Sequence, residues 1–149
     1  GLLRLASDNP YANETTDYMM KIEAHHAFRD MQIDRTPVDP DHPKTRLRTS
    51  ARSYVEPSAQ FENPQATVAF FGGSTTQNVA VREELRFHAL VSSLLAERGI
   101  EISTLNAGRS GISANDSVNL LFNHVIFDEP DVAVMMHAFN DIGVLAIHG

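Results

Sequence analysis

The sequence has 149 residues, a formal net charge of −7 and no cysteine. Its 42% hydrophobic and 21% charged content is ordinary for a globular protein, and the length suits one domain with its own core. The acidic balance argues against nucleic acid as a partner, the missing cysteines exclude disulfides and a thiol nucleophile, and no apolar stretch is long enough to span a bilayer.

The first part of the chain, residues 1–66, has a different pattern from the rest. A weak apolar stripe predicts a helix over 13–30, and the three prolines within 34–45 predict irregular backbone there. We expect 46–55 to be extended and 58–65 to be a loop. Because large apolar residues are few, we interpret 1–66 as an N-terminal arm or flap and not as a separate domain.

From Thr67 onward, strand and helix patterns alternate. The predicted strands cover 67–71, 100–105 and 131–137, the predicted helices cover 81–98 and 116–127, and a polar loop covers 106–115. Strands that alternate with helices imply right-handed crossovers and a parallel sheet. We therefore expect residues 67–149 to form a three-layer α/β domain of flavodoxin-like type.

The two predicted helices should each present an apolar face to the sheet. The residues expected on these faces are Leu85, Ala89, Leu90, Leu94 and Leu95 in the first helix and Val118, Leu121, Val125 and Ile126 in the second. Gly99 is the expected end of the first helix. His88 and His124 are expected at helix-surface or interface positions.

Each predicted strand ends in a polar cluster, and a parallel sheet brings these ends to one edge. Ser74 follows two glycines after the first strand, Gly108 lies after the second, and Asn140 lies after the third. A serine oxygen that attacks a carbonyl needs preorganised donors for the oxyanion that forms. The N–H groups of Ser74 and Gly108 and the amide of Asn140 could supply them, so the arrangement favours acyl transfer.

Three motifs carry a family resemblance. Gly-Gly-Ser-Thr-Thr, Asn-Ala-Gly-x-Ser-Gly and His-x-Phe-Asn-Asp occur in this order from Gly72, Asn106 and His137. The sequence from Thr67 onward resembles blocks I–III of the SGNH (GDSL-type) hydrolases. The resemblance implies the SGNH hydrolase fold, with Ser74 as nucleophile and Gly108 and Asn140 completing the oxyanion hole.

The sequence departs from that family in three places. Gly73 stands where the family name has aspartate, and Ala138-Phe139 stands where a glycine often precedes the asparagine. The last family block, Asp-x-x-His, which supplies the general base and its carboxylate, does not follow Ser74; the one such string, from Asp39 to His42, lies upstream in the proline-rich segment. The sequence starts with glycine, so we expect a segment of a longer protein, truncated before that block and poorly active alone.

Residues beside these positions are expected to support the site. Gly73, Thr75, His137 and Asp141 are candidates for this role: Thr75, with Thr76, as a helix cap, His137 as a packing or hydrogen-bonding residue, and Asp141 as a loop-orienting carboxylate. The histidines show no spacing typical of a metal site, and we expect neither a metal nor another cofactor.

The sequence is also compatible with two other functions. The turn around Ser74 could bind phosphate through backbone N–H groups, although no P-loop lysine follows it, or the chain could be an inactive domain of the same fold that binds a partner. The resemblance implies a small-molecule or carbohydrate ester as substrate, with envelope association as a corollary. Compartment, oligomeric state, and the choice between hydrolase and acyltransferase are not determined.

Overall fold

The computed structural model describes residues 29–30, 32–35, 45–137 and 140–142. Most of the helix predicted over 13–30 lies outside these residues, as do the upstream Asp39–His42 string and His148. Within the described residues, no helix is long and apolar enough to cross a membrane.

A parallel sheet of three strands forms the centre of the fold. In chain order its strands are β3 (Ala66–Gly72), β4 (Ile102–Asn106) and β5 (Val132–Met136), with β3 in the middle and parallel to both neighbours. The earlier strands β1 (Gln32–Arg35) and β2 (Thr45–Arg48) form a separate antiparallel pair. The strand positions predicted from the sequence are confirmed to within two residues in β3 and β4.

Between β3 and β5, where every residue is described, three α-helices and two short 3₁₀ helices connect the strands. The α-helices are α1 (Ser74–Gln77), α2 (Phe87–Ala96) and α3 (Ala114–Asn123); the 3₁₀ helices are Glu83–Leu85 and Val125–Asp128. After α2, Gly99 has a φ of +76°, Gly99 N donates to Ala96 O, and Ile100 N donates to Leu95 O. These bonds form the Schellman ending that was expected at Gly99.

Helices cover both faces of the sheet, which makes the three layers. Phe70 and Asn106 contact Phe87 and His88 of α2, whereas Phe71 and Leu105 belong to the core cluster packed against Leu120 and Leu121 of α3. Adjacent residues of a strand point to opposite faces. The chain is therefore an α/β domain with α2 and α3 on opposite faces, consistent with the flavodoxin-like fold predicted.

The predicted helix over 81–98 is wrong in its start and in most of its buried face, of which Ala89 is confirmed. Arg86 is extended (φ −65°, ψ 140°), so the α-helix begins only at Phe87. Leu85, Leu90 and Leu94 are exposed, and the buried positions of α2 are His88, Ala89 and Ser92. The polar residues turn inward because they hydrogen-bond to strands and loops: Ser92 Oγ donates to Ile102 O at 2.7 Å.

The second predicted helix also differs from the structure. It starts earlier, at Ala114, with Ser113 as N-cap in a reciprocal capping box with Asp116, and it gives way to a 3₁₀ helix after Asn123. Val125 is fully buried and Leu121 packs against the core, whereas Val118 and Ile126 are exposed. The α-helix is followed by a 3₁₀ helix after Asn123, so a single 3.6-residue period could not predict the buried residues in both parts.

The predictions for the N-terminal part are partly wrong. Asp34, Arg35 and Thr45 lie in strands, although the prolines predicted irregular structure over 34–45. Extended backbone after Arg46 ends early, because Ser50 N bonds to Tyr54 O and Ser53 adopts a φ of +63°, which makes a turn.

The segment 55–65 lies along the outer edge of β4. Val55 N donates to Asn106 O, Ala59 N to Thr104 O and Gln65 N to Glu101 O, at 2.7–3.0 Å. The Gln60 side chain also accepts from Thr104 N at 2.7 Å. The carbonyls of Thr104 and Asn106 on this edge of β4 are thus paired with backbone of the same chain.

Candidate active site

Ser74 lies at the carboxyl end of the central strand, where β3 turns into α1. Gly73 is the N-cap of α1, and Ser74 is the first helical residue and is exposed. A Cβ added to Gly72 would lie 2.6 Å from Met136 O, so glycine lets β3 end close to the end of β5. The first N–H groups of a helix have no intrahelical acceptor, and the backbone N–H of Ser74 therefore faces out of the turn.

The Gly108 loop packs directly on this turn. A Cβ on Gly108 would lie 2.6 Å from Gln77 N and 2.9 Å from the carbonyl carbon of Thr76, both of which are backbone atoms of α1. The close approach requires glycine at this position. The structure therefore brings the second motif against the helix that carries Ser74.

The Asn140 side chain meets the same turn from another side. A Cβ on Gly73 would lie 2.6 Å from Asn140 Nδ2, so the amide lies against the residue that precedes Ser74. The same Nδ2 donates to Ile112 O at 2.8 Å. An amide nitrogen has two hydrogens, and one remains available for a further acceptor. All three candidate motifs thus meet around the Gly73–Ser74 turn.

The Gly108 N–H already has an acceptor in this arrangement. It donates to Asn106 Oδ1 at 3.0 Å, a side-chain bond two residues along the chain that stabilises the turn. An oxyanion at this N–H would therefore share it in a three-centre bond or displace Asn106 Oδ1. The oxyanion role of Gly108 stays a prediction.

His137 and Asp141 form a cluster with α3. His137 Nε2 lies 2.7 Å from Ser117 Oγ, and His137 Nδ1 lies 3.7 Å from Asp141 Oδ2. Asp141 Oδ1 accepts from Ala114 N at 2.8 Å, at the start of α3. Because Ser117 is fully buried, this Ser–His–Asp arrangement cannot reach a substrate. The contacts tie His137 and Asp141 to α3, and the supporting roles of both residues in the site stay predictions.

The two threonines after Ser74 do not cap a helix as predicted. Both lie inside α1, and the N-cap is Gly73, which makes no side-chain cap. Thr76 is fully buried beneath the Gly108 loop, whereas Thr75 is exposed.

Sequence reasoning missed the buried polar residues beneath the site. His88, expected at a surface or interface, is fully buried, and so are Arg86 and Asn106, while Arg109 is almost so. Arg109 donates to Gly108 O at 2.8 Å and to Ser53 O, and burial lowers its pKa to about 10. A signal was present in the four-residue spacing of His88 and Ser92, the periodicity of one helix face.

Two arginines of the N-terminal part bind acidic residues of the domain. Arg48 makes a bidentate contact with Glu83, and Arg52 pairs with Asp128 at 2.8 Å. Among the described residues there is no group of three or more side chains suited to hold a metal ion.

No family model matches the sequence, and no curated protein matches it. Among solved structures, the chain is similar to a crystal structure of an acetyl xylan esterase, with 32% sequence identity and a TM-score of 0.46. The match covers 56% of this chain and 42% of that one. The chain therefore spans less than half the length of the esterase structure.

A methyl group on Gly108 is expected to separate the loop from the Ser74 helix. We predict that Gly108→Ala lowers the free energy of unfolding by about 2 kcal/mol, since backbone atoms at 2.6 and 2.9 Å cannot move aside cheaply. Chemical denaturation followed by circular dichroism measures this loss. Ser110→Ala, an exposed change in the same loop, should stay within about 0.5 kcal/mol. Equal stability of the two variants would contradict the packing described here.

Proposed function

We propose that the protein cleaves or transfers ester-bound acyl groups with Ser74 as nucleophile. The observation that carries this proposal is the meeting of three elements at one turn: the exposed Ser74, the Gly108 loop packed on α1, and the Asn140 amide beside Gly73. None of these contacts is needed for a turn serine alone, and they bring the Gly108 loop and the Asn140 amide against the turn and helix that carry Ser74.

In the proposed reaction, Ser74 Oγ attacks the carbonyl carbon of an ester while a base takes the hydroxyl proton. The carbonyl oxygen becomes an oxyanion that accepts hydrogen bonds from Ser74 N–H and Asn140 Nδ2, with Gly108 N–H as a third donor if it is shared. Collapse of this intermediate breaks the ester bond, and the alcohol leaves with the proton. Water or an acceptor alcohol then removes the acyl group from Ser74.

The base is proposed to come from outside residues 1–149. His137 is held by Ser117 and Asp141, and no Asp-x-x-His follows Ser74 in the sequence. A serine hydroxyl without a base is a weak nucleophile. We therefore expect the protein with its natural flanking sequence to hydrolyse p-nitrophenyl acetate, and residues 1–149 alone to show little turnover.

A fluorophosphonate probe tests the proposal, because it forms a covalent bond only with an activated serine. The protein with its flanking sequence should be labelled, the label should map to Ser74 by mass spectrometry, and Ser74→Ala should abolish it. Thr75→Ala is the matched control, since Thr75 is the next residue of α1 and is also exposed. Absence of labelling would favour an inactive binding domain. Labelling that persists in Ser74→Ala would contradict the assignment of Ser74 as the nucleophile.

A further inference from the structure

The side chain of Asn106 is fully buried and all its polar atoms are bonded. Its Nδ2 donates to Thr76 O at 2.9 Å and lies 3.0 Å from His88 Nδ1, while its Oδ1 accepts from Gly108 N. One carboxamide therefore joins the helix that carries Ser74 to the loop that carries Gly108. A buried amide with every donor and acceptor satisfied is costly to rotate.

The partners of His88 fix how this carboxamide is oriented. Pro57 O, which can only accept, lies 3.1 Å from His88 Nε2, so the ring carries its hydrogen on Nε2. Nδ1 is then an acceptor for Asn106 Nδ2. If the amide were flipped, its oxygen would face both Thr76 O and His88 Nδ1, which are acceptors. The imidazole thus selects one orientation of Asn106.

We propose that Asn106 and His88 are positioning residues of the ester-cleaving site, where Asn106 ties the Gly108 loop to the Ser74 helix and His88 fixes the orientation of its carboxamide. The inference rests on the proposed function. Neither side chain touches the substrate, since both are fully buried beneath the turn. Their effect is on the placement of the oxyanion donors relative to Ser74 Oγ.

A misplacement of about 1 Å between reacting groups can cost two orders of magnitude in rate. We therefore expect Asn106→Leu, which keeps the shape and removes all three bonds, to slow fluorophosphonate labelling of Ser74 by roughly 10- to 100-fold. His88→Leu should slow it less, by roughly tenfold, because the bonds to Thr76 and Gly108 remain. His88→Asn, which can place an acceptor near the Nδ1 position, should recover most of the rate.

Ser92→Ala is the matched control for a general loss of stability. Ser92 lies one turn after His88 on the same buried face of α2, and its hydroxyl donates to Ile102 O, yet it has no bond to Asn106, Thr76 or Gly108 among the described contacts. We expect this variant to be destabilised and to be labelled at the wild-type rate. Labelling should be measured as the maximal rate and the half-saturating probe concentration separately, on samples whose folded fraction is known.

A second readout reports on the Gly108 N–H itself. In ¹H–¹⁵N spectra of the protein with its flanking sequence, the Gly108 amide should shift and exchange faster with solvent in Asn106→Leu and His88→Leu, and not in Ser92→Ala. Equal slowing of labelling in the His88→Leu and Ser92→Ala variants, or an unchanged Gly108 amide in Asn106→Leu, would overturn the inference. If wild-type protein is not labelled at all, the proposed function fails, and the Gly108 amide still decides whether the pair holds the loop.

Discussion

Replacing Arg86 by methionine is expected to lower the free energy of unfolding by about 4 kcal/mol. The Arg86 side chain is fully buried and donates to three backbone carbonyls: Asn78 O at the end of α1, Glu56 O before β3, and Arg46 O in β2. A carbonyl away from water that loses its donor costs roughly 1–3 kcal/mol. Removal of the guanidinium takes a donor from all three part-buried carbonyls at once, although Asn78 O keeps Val81 N as a second donor. Denaturant unfolding followed by circular dichroism measures the change.

Arg82→Met is the control for Arg86→Met, because it removes the same charge four residues away. The Arg82 side chain is half exposed and pairs with the exposed Glu84 at 3.3 Å. Such a surface pair contributes about 0–1 kcal/mol. Arg86→Lys should recover only part of the stability, since an ammonium group cannot span three separated carbonyls. Similar losses of unfolding free energy in Arg82→Met and Arg86→Met would show that only the charge matters, which would contradict a stabilising role for the three hydrogen bonds of Arg86.

Acidification is expected to destabilise the protein through His88. Burial, with a further contribution from the Arg86 charge, lowers the pKa of His88 to about 4, although its bond to Pro57 O opposes the shift. In the unfolded chain a histidine has a pKa of about 6.5, so between pH 6.5 and 4 the unfolded state binds a proton that the folded state does not. Stability from the neutral ring is therefore complete above pH 6.5 and lost as the pH falls towards 4. The loss amounts to about 3 kcal/mol.

The difference between wild type and His88→Asn isolates this effect from the carboxylates, which titrate in both proteins. Unfolding free energies measured at several pH values should fall faster in the wild type, by about 1.4 kcal/mol per pH unit between pH 6 and 4.5. At pH 8 the variant should be the less stable of the two, and the gap should narrow on acidification. Parallel profiles would mean that His88 takes up its proton over the same pH range in the folded and the unfolded states, which would contradict a buried ring whose Nδ1 accepts from Asn106 Nδ2.

The sheet was predictable because its strands are short apolar runs between helix patterns, although β5 is mostly exposed whereas β4 is buried throughout. The apolar run of β3 stops at Gly72-Gly73, and β4 and β5 alternate with helices of suitable length, so the parallel arrangement followed from the sequence. The meeting of Ser74, Gly108 and Asn140 around one turn also agrees with what a parallel sheet requires of its carboxyl ends. Their catalytic roles remain predictions.

The helix faces and the residues beneath the site were not predictable in the same way. A rule that places leucine inside and arginine outside fails for Leu94 and Arg86, because burial here is decided by hydrogen bonds across 30 to 40 residues of sequence. His88 finds its acceptor at Pro57 and its donor at Asn106, neither of which is near it in the chain. Periodicity within a helix carries no information about such distant partners.

The Gln60 side chain has a consequence for the β4 edge of the sheet. It accepts from Thr104 N and donates to Thr104 Oγ1, and Ser58 Oγ accepts from Asn106 N, so side chains occupy N–H groups that a neighbouring strand would otherwise use. Backbone hydrogen bonds at an open sheet edge do not depend on side chains, so any extended chain can pair there, including a second copy of the protein. Here the acceptors are side-chain atoms of the same chain, and they occupy the N–H groups of Thr104 and Asn106. The β4 edge of the sheet is thereby closed to the addition of another strand at Thr104 and Asn106.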